Sequence, residues 1–543
     1  MIETTIETAI KDALKQLNVD DRPIKIEVPN DKSNGDFSTN VAMTLAKELR
    51  KNPMLIAEDI VNLIGDIDGI KTIEAARPGF INFTVDKTLY HSVIKTINDL
   101  RGTYGDSDIG KGEHFNIEFV SANPTGTLHI GHARGAAAGD TLTRILKKAG
   151  YKVTKEFYVN DGGNQIHNLA ISIKARYKQA FGIDADLPED GYYGNEIKLI
   201  AETIKQKEGD RFLHEDGYEF FKTYGVDALL SELKEDLKAF NVEFDVWFHE
   251  TTLYKERLIE KTLKTLENKG YTYKADGALW LKTSDFEDEK DRVIIKSDGT
   301  NTYLLPDIAY HNHKLSRGYT KLIDILGGDH HGYLPRLKSA IHMIGGKSDL
   351  LEVDLLQMVK VVQDGEEVKM SKRSGKTITI KSLVEEVGKD PIRYFFAMRS
   401  LNTQMELDLD LALKQTNENP VYYAQYAHAR IASVLRQAQQ KHIDLDLDLA
   451  SFDTFNSDKI DDLLTLLREY PNVIEAAASK RLMHKVPQYI HKLASSLHTF
   501  YASEKVITDD LKATQERLAL MHAVKVVLKD ALTLVGVEAK ESM

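Results

Sequence analysis

The apolar positions of the chain change period twice within one short stretch. From Phe115 to Ser121 the residues read as a buried strand, and Asn123, Pro124 and Gly126 mark a turn after it. From about Ile130 to Ala149, residues Ala133, Ala137, Leu142, Ile145, Leu146 and Ala149 recur at helical spacing, and Gly150 offers a stop. Tyr151, Val153, Phe157 and Val159 then share one side of a second strand, with Lys155 breaking the alternation. Strand, helix and strand in this order predict parallel strands in an α/β sheet.

Before this stretch, Ile2, Ile6, Ile10 and Leu14 predict a helix, and Ile24, Ile26 and Val28 alternate as a short strand. Asp36 to Asn40 introduces a second helix through Leu49, Pro53 opens a third, Pro78 to Phe83 reads as turn then strand, and a helix runs from about Lys87 to Leu100. From about 166 to 290 the chain is helical and acidic, an insertion in which we expect no chemistry, with a hairpin around Asp276-Gly277. The α/β pattern then resumes. Val293–Lys296 and Thr302–Leu305 flank Asp298-Gly299 as a hairpin, Leu322–Leu326 is an apolar strand, a helix follows from about Tyr333 to Ile344, and Asp364-Gly365 marks a further hairpin. From about Thr379 onward the chain reads as helical, with amphipathic segments at 418–441, 457–479, 481–502 and 508–534 and an acidic, exposed link at 442–456.

Composition narrows this picture. A chain of 543 residues is too long for one core. A hydrophobic fraction of 42% and a charged fraction of 28% are ordinary for a globular protein. The net charge of −12 argues against a generally basic nucleic-acid coat and leaves room for a local basic surface. With no cysteine there is no disulfide, no thiolate zinc site and no cysteine nucleophile. The first residues carry acid where a signal peptide would have base, and no apolar run approaches a membrane span, so a cytoplasmic protein is expected.

Ligands of open α/β sheets bind beyond the carboxyl ends of the strands. Two segments are expected there, Ser121–His132 and Asn160–Gln165. The first opens a helix, whose unpaired N–H groups and positive dipole end suit a phosphate. His129 and His132 can both face that site, and Gly131 lets a base or ribose lie close to the backbone. Gly327-Gly328-Asp329-His330-His331-Gly332 follows another strand, and Asp329 suits ribose hydroxyls. Asp329, His330 and His331 also have metal-ligand chemistry, but three ligands in a row rarely converge on one ion. Lys369 and Lys372, three apart on a loop with Gly375, can clamp a triphosphate.

His129-Ile130-Gly131-His132 and Lys369-Met370-Ser371-Lys372 are the two signatures of class I aminoacyl-tRNA synthetases, in the right order. Over essentially the whole chain the sequence resembles the bacterial arginyl-tRNA synthetases. Glu118, Ser121 and Asn123 match that family's amino-acid pocket, Asn160-Asp161-Gly162-Gly163-Asn164-Gln165 its Asn-Asp-x-Gly-x-Gln element, and Tyr303 and Asp307 its guanidinium-reading pair. The resemblance implies a Rossmann-type parallel-sheet catalytic domain at 106–378 with the insertion at about 166–290. It also implies an α+β domain at 1–105 that contacts the tRNA elbow and an all-α anticodon-binding domain at 379–543.

It further implies ATP-dependent ligation of L-arginine to its tRNA through an arginyl-adenylate, with ATP and Mg²⁺ as co-substrates, no resident metal or organic cofactor, and a monomer. His129, His132, Lys369 and Lys372 would be catalytic. Thr125, Gly126, Gly131, Gly327, Asp329, His330, Met370 and Ser371 would join both histidines in holding ATP. Glu118, Ser121, Asn123, His132, Tyr303 and Asp307 would hold arginine, and Phe37, Asn40, Tyr422, Tyr426, Arg430 and Met543 would meet tRNA. The family implies that activation itself requires bound tRNA. A guanidinium is a planar fork of donors that carboxylates accept. A lysine substrate would also suit carboxylates, so charge alone does not decide between them.

Two departures stand out. Many family members lack Lys-Met-Ser-Lys and carry a lysine three residues before the first signature histidine, where this chain has Gly126. Some read the substrate with a glutamine in the segment aligned to Gly327-Gly328, so here that contact must come from elsewhere or be absent.

Overall fold

The computed structural model describes residues 2–29, 31–347, 349–368, 378–447 and 450–543, without the side chains of residues 32, 87–89 and 329–331. The chain forms two compact units. One comprises residues up to Tyr104 with Val434–Glu469 and Ser496–Val527, and the other Gly105–Ser433, Tyr470–Ser495 and Leu528–Met543.

The first unit begins with α1 (Ile2–Gln16), β1 (Phe37–Thr39), α2 (Val41–Leu49), α3 (Pro53–Ile64), β2 (Ile70–Ala76), β3 (Phe80–Val85) and α4 (Lys87–Leu100). Its antiparallel sheet has the order β1-β3-β2 and covers a core that includes Ile6, Ile10, Phe37, Leu45, Ile60 and Phe83. The strand expected at Ile24–Val28 is reduced to one bridge, Glu27 to Ser38, and Val28 is 62% exposed. Phe37–Thr39, expected as a helix lead-in, is instead a fully buried strand.

The second unit is built on β4 (His114–Glu118), α5 (Ile130–Lys148), β5 (Lys152–Val159), α6 (Gly163–Ala180), α7 (Asn195–Glu208), α8 (Arg211–His214), α9 (Tyr218–Ala239) and β6 (Val246–His249). It continues through α10 (Thr251–Lys255), α11 (Leu258–Asn268), the hairpin of β7 (Thr272–Ala275) and β8 (Ala278–Leu281), β9 (Arg292–Ile295), α12 (Leu304–Ser316), β10 (Lys321–Gly327), α13 (Leu334–Ile344) and β11 (Leu351–Leu356). The central sheet is parallel throughout, in the order β11-β10-β4-β5-β6. This is the Rossmann order, with its topological switch between β4 and β10.

Three expectations need correction here. The stretch taken as an insertion contains β6, a strand of the central sheet that pairs with β5, so the excursion ends before Val246. Thr302–Leu305 is not a strand. Leu304, Leu305, Ile308 and Ala309 are buried at helical spacing and Pro306 sits in the first turn, so α12 starts there. The chain after Thr379 is not wholly helical. Beyond β12 (Val359–Gln363), β13 (Glu366–Glu367), α14 (Ile380–Glu386) and α15 (Lys389–Ala397), β14 (Met405–Asp408) returns to pair with β12.

After α16 (Leu409–Leu413), four long helices complete the chain: α17 (Pro420–Gln440), α18 (Asp458–Ser479), α19 (Lys485–Ser503) and α20 (Leu511–Leu534). The link expected to be exposed buries Phe452 and Phe455, and Glu516 of α20 accepts hydrogen bonds from the backbone of Asp453 and Thr454 at 3.1 and 3.0 Å.

Helix α5 is the spine of the second unit. Its Arg134 is wholly buried and donates to the carbonyls of Gln357, Ser400 and Thr403 at 2.7, 2.9 and 2.8 Å. Its Asp140 pairs with buried Arg393 of α15 at 2.7 Å. The ring of Phe119, just past β4, lies against Gly139, where a Cβ would fall 2.3 Å from ring carbon Cγ. At Gly135, in the same helix, the nearest atom would be Leu356 Cδ2 at an ordinary 3.5 Å. Gly139→Ala is therefore expected to lower stability by about 1–3 kcal/mol, and Gly135→Ala to leave it unchanged or raise it by up to about 1 kcal/mol. Urea unfolding of both variants measures the contrast, and equal effects would refute it.

Candidate active site

Three carboxylates stand side by side where the sheet strands approach their carboxyl ends. Glu118 of β4 is in register with Glu156 of β5 on one side and Asp324 of β10 on the other. They are 7%, 0% and 2% exposed, so water does little to screen them. Like charges opposite one another in a sheet repel, and helix α12 supplies what offsets that. Lys314 Nζ lies 2.5 Å from Glu118 Oε2 and 3.0 Å from Asp324 Oδ1. The Tyr310 hydroxyl lies 2.7 Å from Glu118 Oε2 and 3.0 Å from Glu156 Oε1. Arg317 pairs with Glu156 at 2.8 Å, and Asn116 Nδ2 donates to Glu156 Oε2 at 2.6 Å.

His311 extends this network to the rim. Its Nε2 is 3.0 Å from Asp324 Oδ2, and its Nδ1 is 2.9 Å from the Asp307 carbonyl and 3.2 Å from Asp307 Oδ1. Both ring nitrogens face acceptors, which requires a proton on each. Burial alone would lower the imidazole pKa, but hydrogen bonds and charge from Asp307 and Asp324 outweigh it and raise it to about 10. Burial pushes the Glu118 carboxyl up, against the pull of Lys314. Asp324 goes the other way, because Lys314 and His311 together overcome its burial.

The signature segment follows β4. Val120 and Ser121 both take left-handed backbone angles, with φ of 69° and 39°, strained for a β-branched valine. Ser121 Oγ donates to Glu118 Oε1 at 2.9 Å and accepts from the Tyr158 N–H at 3.1 Å. Asn123 Nδ2 donates to Gln165 Oε1 at 2.6 Å, so the two segments expected at this edge do meet. Asp161 accepts from His249, the Thr251 hydroxyl and the Thr251 N–H, which ties the ends of β5 and β6 together.

His129 caps α5. Its Nδ1 accepts the Gly131 N–H at 3.1 Å, His132 Nδ1 accepts the His129 N–H at 3.2 Å, and the rings stack with centroids 3.8 Å apart. A Cβ on Gly131 would lie 3.0 Å from His129 Cε1, which favours glycine there. In neutral rings bonded this way, the proton sits on Nε2.

Lys369, Met370, Ser371 and Lys372 lie outside the described residues, as do the side chains of Asp329 and His330. Their described neighbours are informative. His129 forms a bridge with Thr379, the Ile130 N–H reaches the Ile378 carbonyl at 3.1 Å, and Ile380 bonds back to Leu128 at 2.8 Å. The chain thus leaves 369–377 directly beside the first signature. Thr125 donates its N–H to the Asn123 carbonyl at 2.8 Å, and nothing lies within 4 Å of a Cβ placed on Gly126. Gly327 ends β10, and a Cβ on Gly328 would lie 3.3 Å from the Gln357 side-chain amide.

At the start of α12, Asp307 is half-buried, and Tyr333 and His311 donate to its side chain. Glu250, which the sequence reading passed over, follows the end of β6. Burial and the charge of Asp161 raise its pKa, while a hydrogen bond from Tyr158 holds it down. Burial first, and then the charges of Glu250, Asp307 and Glu118, push the Tyr158 phenol up. Among the described residues, no lysine or arginine pairs with Glu250 or Asp307. Tyr303, expected beside Asp307, is 94% exposed.

The residues expected to meet RNA divide. Phe37 is 5% exposed and part of the core, facing the guanidinium of Arg468 at 5.8 Å, so it cannot offer a ring to a base. Asn40 precedes α2 without a side-chain capping bond. Tyr422 and Tyr426 stack at 6.1 Å with planes 6° apart, and Arg430 covers Tyr426 at 4.8 Å, so one face of α17 carries a continuous ladder. Met543 is 52% exposed. Arg481, between α18 and α19, is paired with Glu352 and Asp354.

No helix among the described residues is long and apolar enough to cross a membrane, and none of their His, Asp and Glu side chains form a group of three or more suited to a metal ion.

A parallel sheet in Rossmann order, a histidine-capped helix at its switch point and a sequence that carries both signatures in order define a class I aminoacyl-tRNA synthetase. The comparisons agree. The family pattern described as tRNA synthetases class I (R), catalytic domain, matches residues 100–400. The arginyl tRNA synthetase N terminal domain matches residues 4–85, and the DALR anticodon binding domain matches residues 424–543. The arginine–tRNA ligase of Geobacillus kaustophilus is 52% identical over 528 residues, 96% of this chain and 94% of that protein. That of Bacillus pumilus is 50% identical over 525 residues, with the same coverage. The Thermus thermophilus arginyl-tRNA synthetase structure superposes with a TM-score of 0.76 at 20% identity, covering 100% of both chains, which bears on the fold alone. The chain belongs to the arginyl-tRNA synthetases.

The ionic network has a pH signature. The His311 pKa is raised on folding, so its contribution is complete below the unfolded value of about 6.5 and lost as pH rises toward about 10. The Asp324 pKa is depressed, so its contribution is complete above the unfolded value of about 4 and lost as pH falls below it. Thermal unfolding is expected to show stability declining from pH 7 to pH 10, with a smaller decline in His311→Gln. An identical decline in the variant would refute the assignment. Lys314→Met leaves Glu118 and Asp324 facing each other uncompensated, and is expected to cost about 3–5 kcal/mol in urea unfolding.

Proposed function

We propose that the chain ligates L-arginine to its tRNA in two steps at the carboxyl edge of the central sheet. The observation that carries this reading is the pair Asp307 and Glu250, two partly buried carboxylates without a lysine or arginine partner among the described residues, whose charges both act on Tyr158. An ammonium can also meet two carboxylates, as Lys314 does, but only a guanidinium presents coplanar, paired N–H groups to each. Fork geometry therefore favours arginine over lysine. Glu118 enters this reading in a changed role. Its oxygens already accept from Ser121, Tyr310 and Lys314, so it shapes the pocket floor, and Ser121 acts with it.

Asn123, held by Gln165, faces the α-amino end of arginine, and Tyr303 closes over the side chain when substrate is bound. Gln357, whose amide fills the space beside Gly328, stands where the missing glutamine contact would be. The arginine carboxylate attacks the α-phosphate of ATP in line, giving arginyl-adenylate and pyrophosphate, with no covalent enzyme intermediate. His129 and His132 donate from Nε2 to the phosphates, and their Nδ1 atoms are fixed by the backbone. Lys369 and Lys372 hold the leaving pyrophosphate, and Mg²⁺ enters as the counter-ion of ATP.

Thr125, Gly126, Gly131, Gly327, Asp329, His330, Met370 and Ser371 line the nucleotide. A terminal ribose hydroxyl of the tRNA then attacks the arginyl carbonyl carbon, and AMP leaves. The N-terminal segment, including Asn40, serves the tRNA elbow. The Tyr422–Tyr426–Arg430 ladder with Met543 offers stacking surface to unpaired anticodon bases. We read the enzyme as a monomer that works in the cytoplasm.

Arginine-dependent exchange of pyrophosphate into ATP is the test. Exchange is expected with arginine and its tRNA both present. Exchange without tRNA would break the tRNA requirement, and no exchange in a folded protein that binds the tRNA would sink the enzymatic reading. Asp307→Asn is expected to raise the arginine KM about 100-fold or more, and Lys369→Ala or Lys372→Ala to lower kcat by about 10²–10³.

A further inference from the structure

We propose that His311 is the positioning residue of the arginine pocket: it fixes the Asp307 carboxylate by tying it, through the imidazole, to Asp324 on the sheet beneath. The inference rests on the reading of Asp307 as a guanidinium acceptor and adds what makes that acceptor effective.

Asp307 sits in the first turn of α12, where N–H groups have no intrahelical partner. An aspartate there readily folds back onto those groups or swings into water. In this structure it does neither. His311, one turn further on, meets its Oδ1 at 3.2 Å and its carbonyl at 2.9 Å. The opposite face of the imidazole is anchored at 3.0 Å to Asp324, which lies inside the sheet and is 2% exposed. His311 is itself 2% exposed, so its ring has little room to turn. The carboxylate that reads the substrate is thereby referenced to the rigid sheet rather than to a helix end.

Charge in the cluster supports the same conclusion. His311 faces Asp307 and Tyr310 on its own helix and Asp324 from β10; Lys314 reaches it only through Asp324, Glu118 through Lys314, and Tyr333 through Asp307. Glu156 has its own partner in Arg317. The remaining carboxylates are Glu118, Asp324 and Asp307, and the buried cations are Lys314 and His311. Lys314 and His311 sit against the inner carboxylates and leave Asp307 at the rim, where a guanidinium can meet it. A neutral imidazole could donate to only one of its two carboxylates.

The test is steady-state kinetics of His311→Gln and His311→Asn beside Asp307→Asn, with varied arginine, ATP and tRNA, each variant first shown to be folded by thermal melting. The His311 variants are expected to raise the arginine KM about tenfold or more, with kcat and the ATP KM within about twofold of the parent. Their preference for arginine over citrulline, its uncharged isostere, should fall as well. If Asp307→Asn raises the arginine KM and the His311 variants do not, the positioning role is wrong and the pocket reading stands. If Asp307→Asn leaves the arginine KM unchanged, the pocket reading fails and takes this inference with it. A uniform loss across arginine, ATP and tRNA, or failure of both His311 variants to fold, would show a purely structural residue and overturn the proposal.

Discussion

An ammonium group taken out of water costs several kcal/mol unless carboxylates surround it, and Lys314 is wholly buried between Glu118 and Asp324. Those two carboxylates are neighbours in register on adjacent strands, with Glu156 beside them on the next. Without α12 the sheet would carry three like charges side by side in a nearly dry interior. Without the sheet, α12 would bury a lysine and a histidine with nothing to meet them. Each side is tolerable only in the presence of the other, so the register and rotation of α12 on the sheet are closely constrained. That constraint carries Asp307, at the start of the same helix, to the edge proposed to read the substrate.

The other half of the site is held by hydrogen bonding and shape. Helix α5 begins at His129, whose ring closes its own helix end and stacks on His132. The turn before it is strained at Val120 and Ser121, and Ser121 links it to both Glu118 and the backbone of β5. The bridge from His129 to Thr379 brings the chain after the second signature against the first. In the proposed mechanism, phosphate chemistry and guanidinium recognition converge on the carboxyl ends of β4 and β10, where the strand order reverses.

The sequence made β4, α5 and β5 legible because their periods are regular and their ends are marked, by His129 at one end of α5 and Gly150 past the other. It misled at Thr302–Leu305, because a short apolar run fits a strand or a helix start equally well, and Pro306 was the deciding residue. Strand β6 was hidden because four residues after a long helical excursion carry too little pattern to stand out. The site was legible where motifs are contiguous, at His129–His132 and Asn160–Gln165. It was illegible where chemistry depends on register. Glu118, Glu156 and Asp324 lie far apart in sequence, and nothing local says that parallel pairing aligns them. Tyr310, His311 and Lys314 read as an ordinary polar helix face, and Glu250 as one more acid in an acidic stretch. Phe37 was expected to meet RNA because the family resemblance implies it, but burial decides that question and the sequence does not show it.

If Lys314 and His311 consume the inner carboxylates, the substrate is read by those at the rim, and a crystal structure with L-arginine bound decides it. The guanidinium is expected within hydrogen-bonding distance of Asp307 and Glu250, with Lys314 still on Glu118 and Asp324 and His311 still bridging Asp307 to Asp324. A guanidinium bound to Glu118 with Lys314 displaced, or one that avoids Asp307, would contradict it.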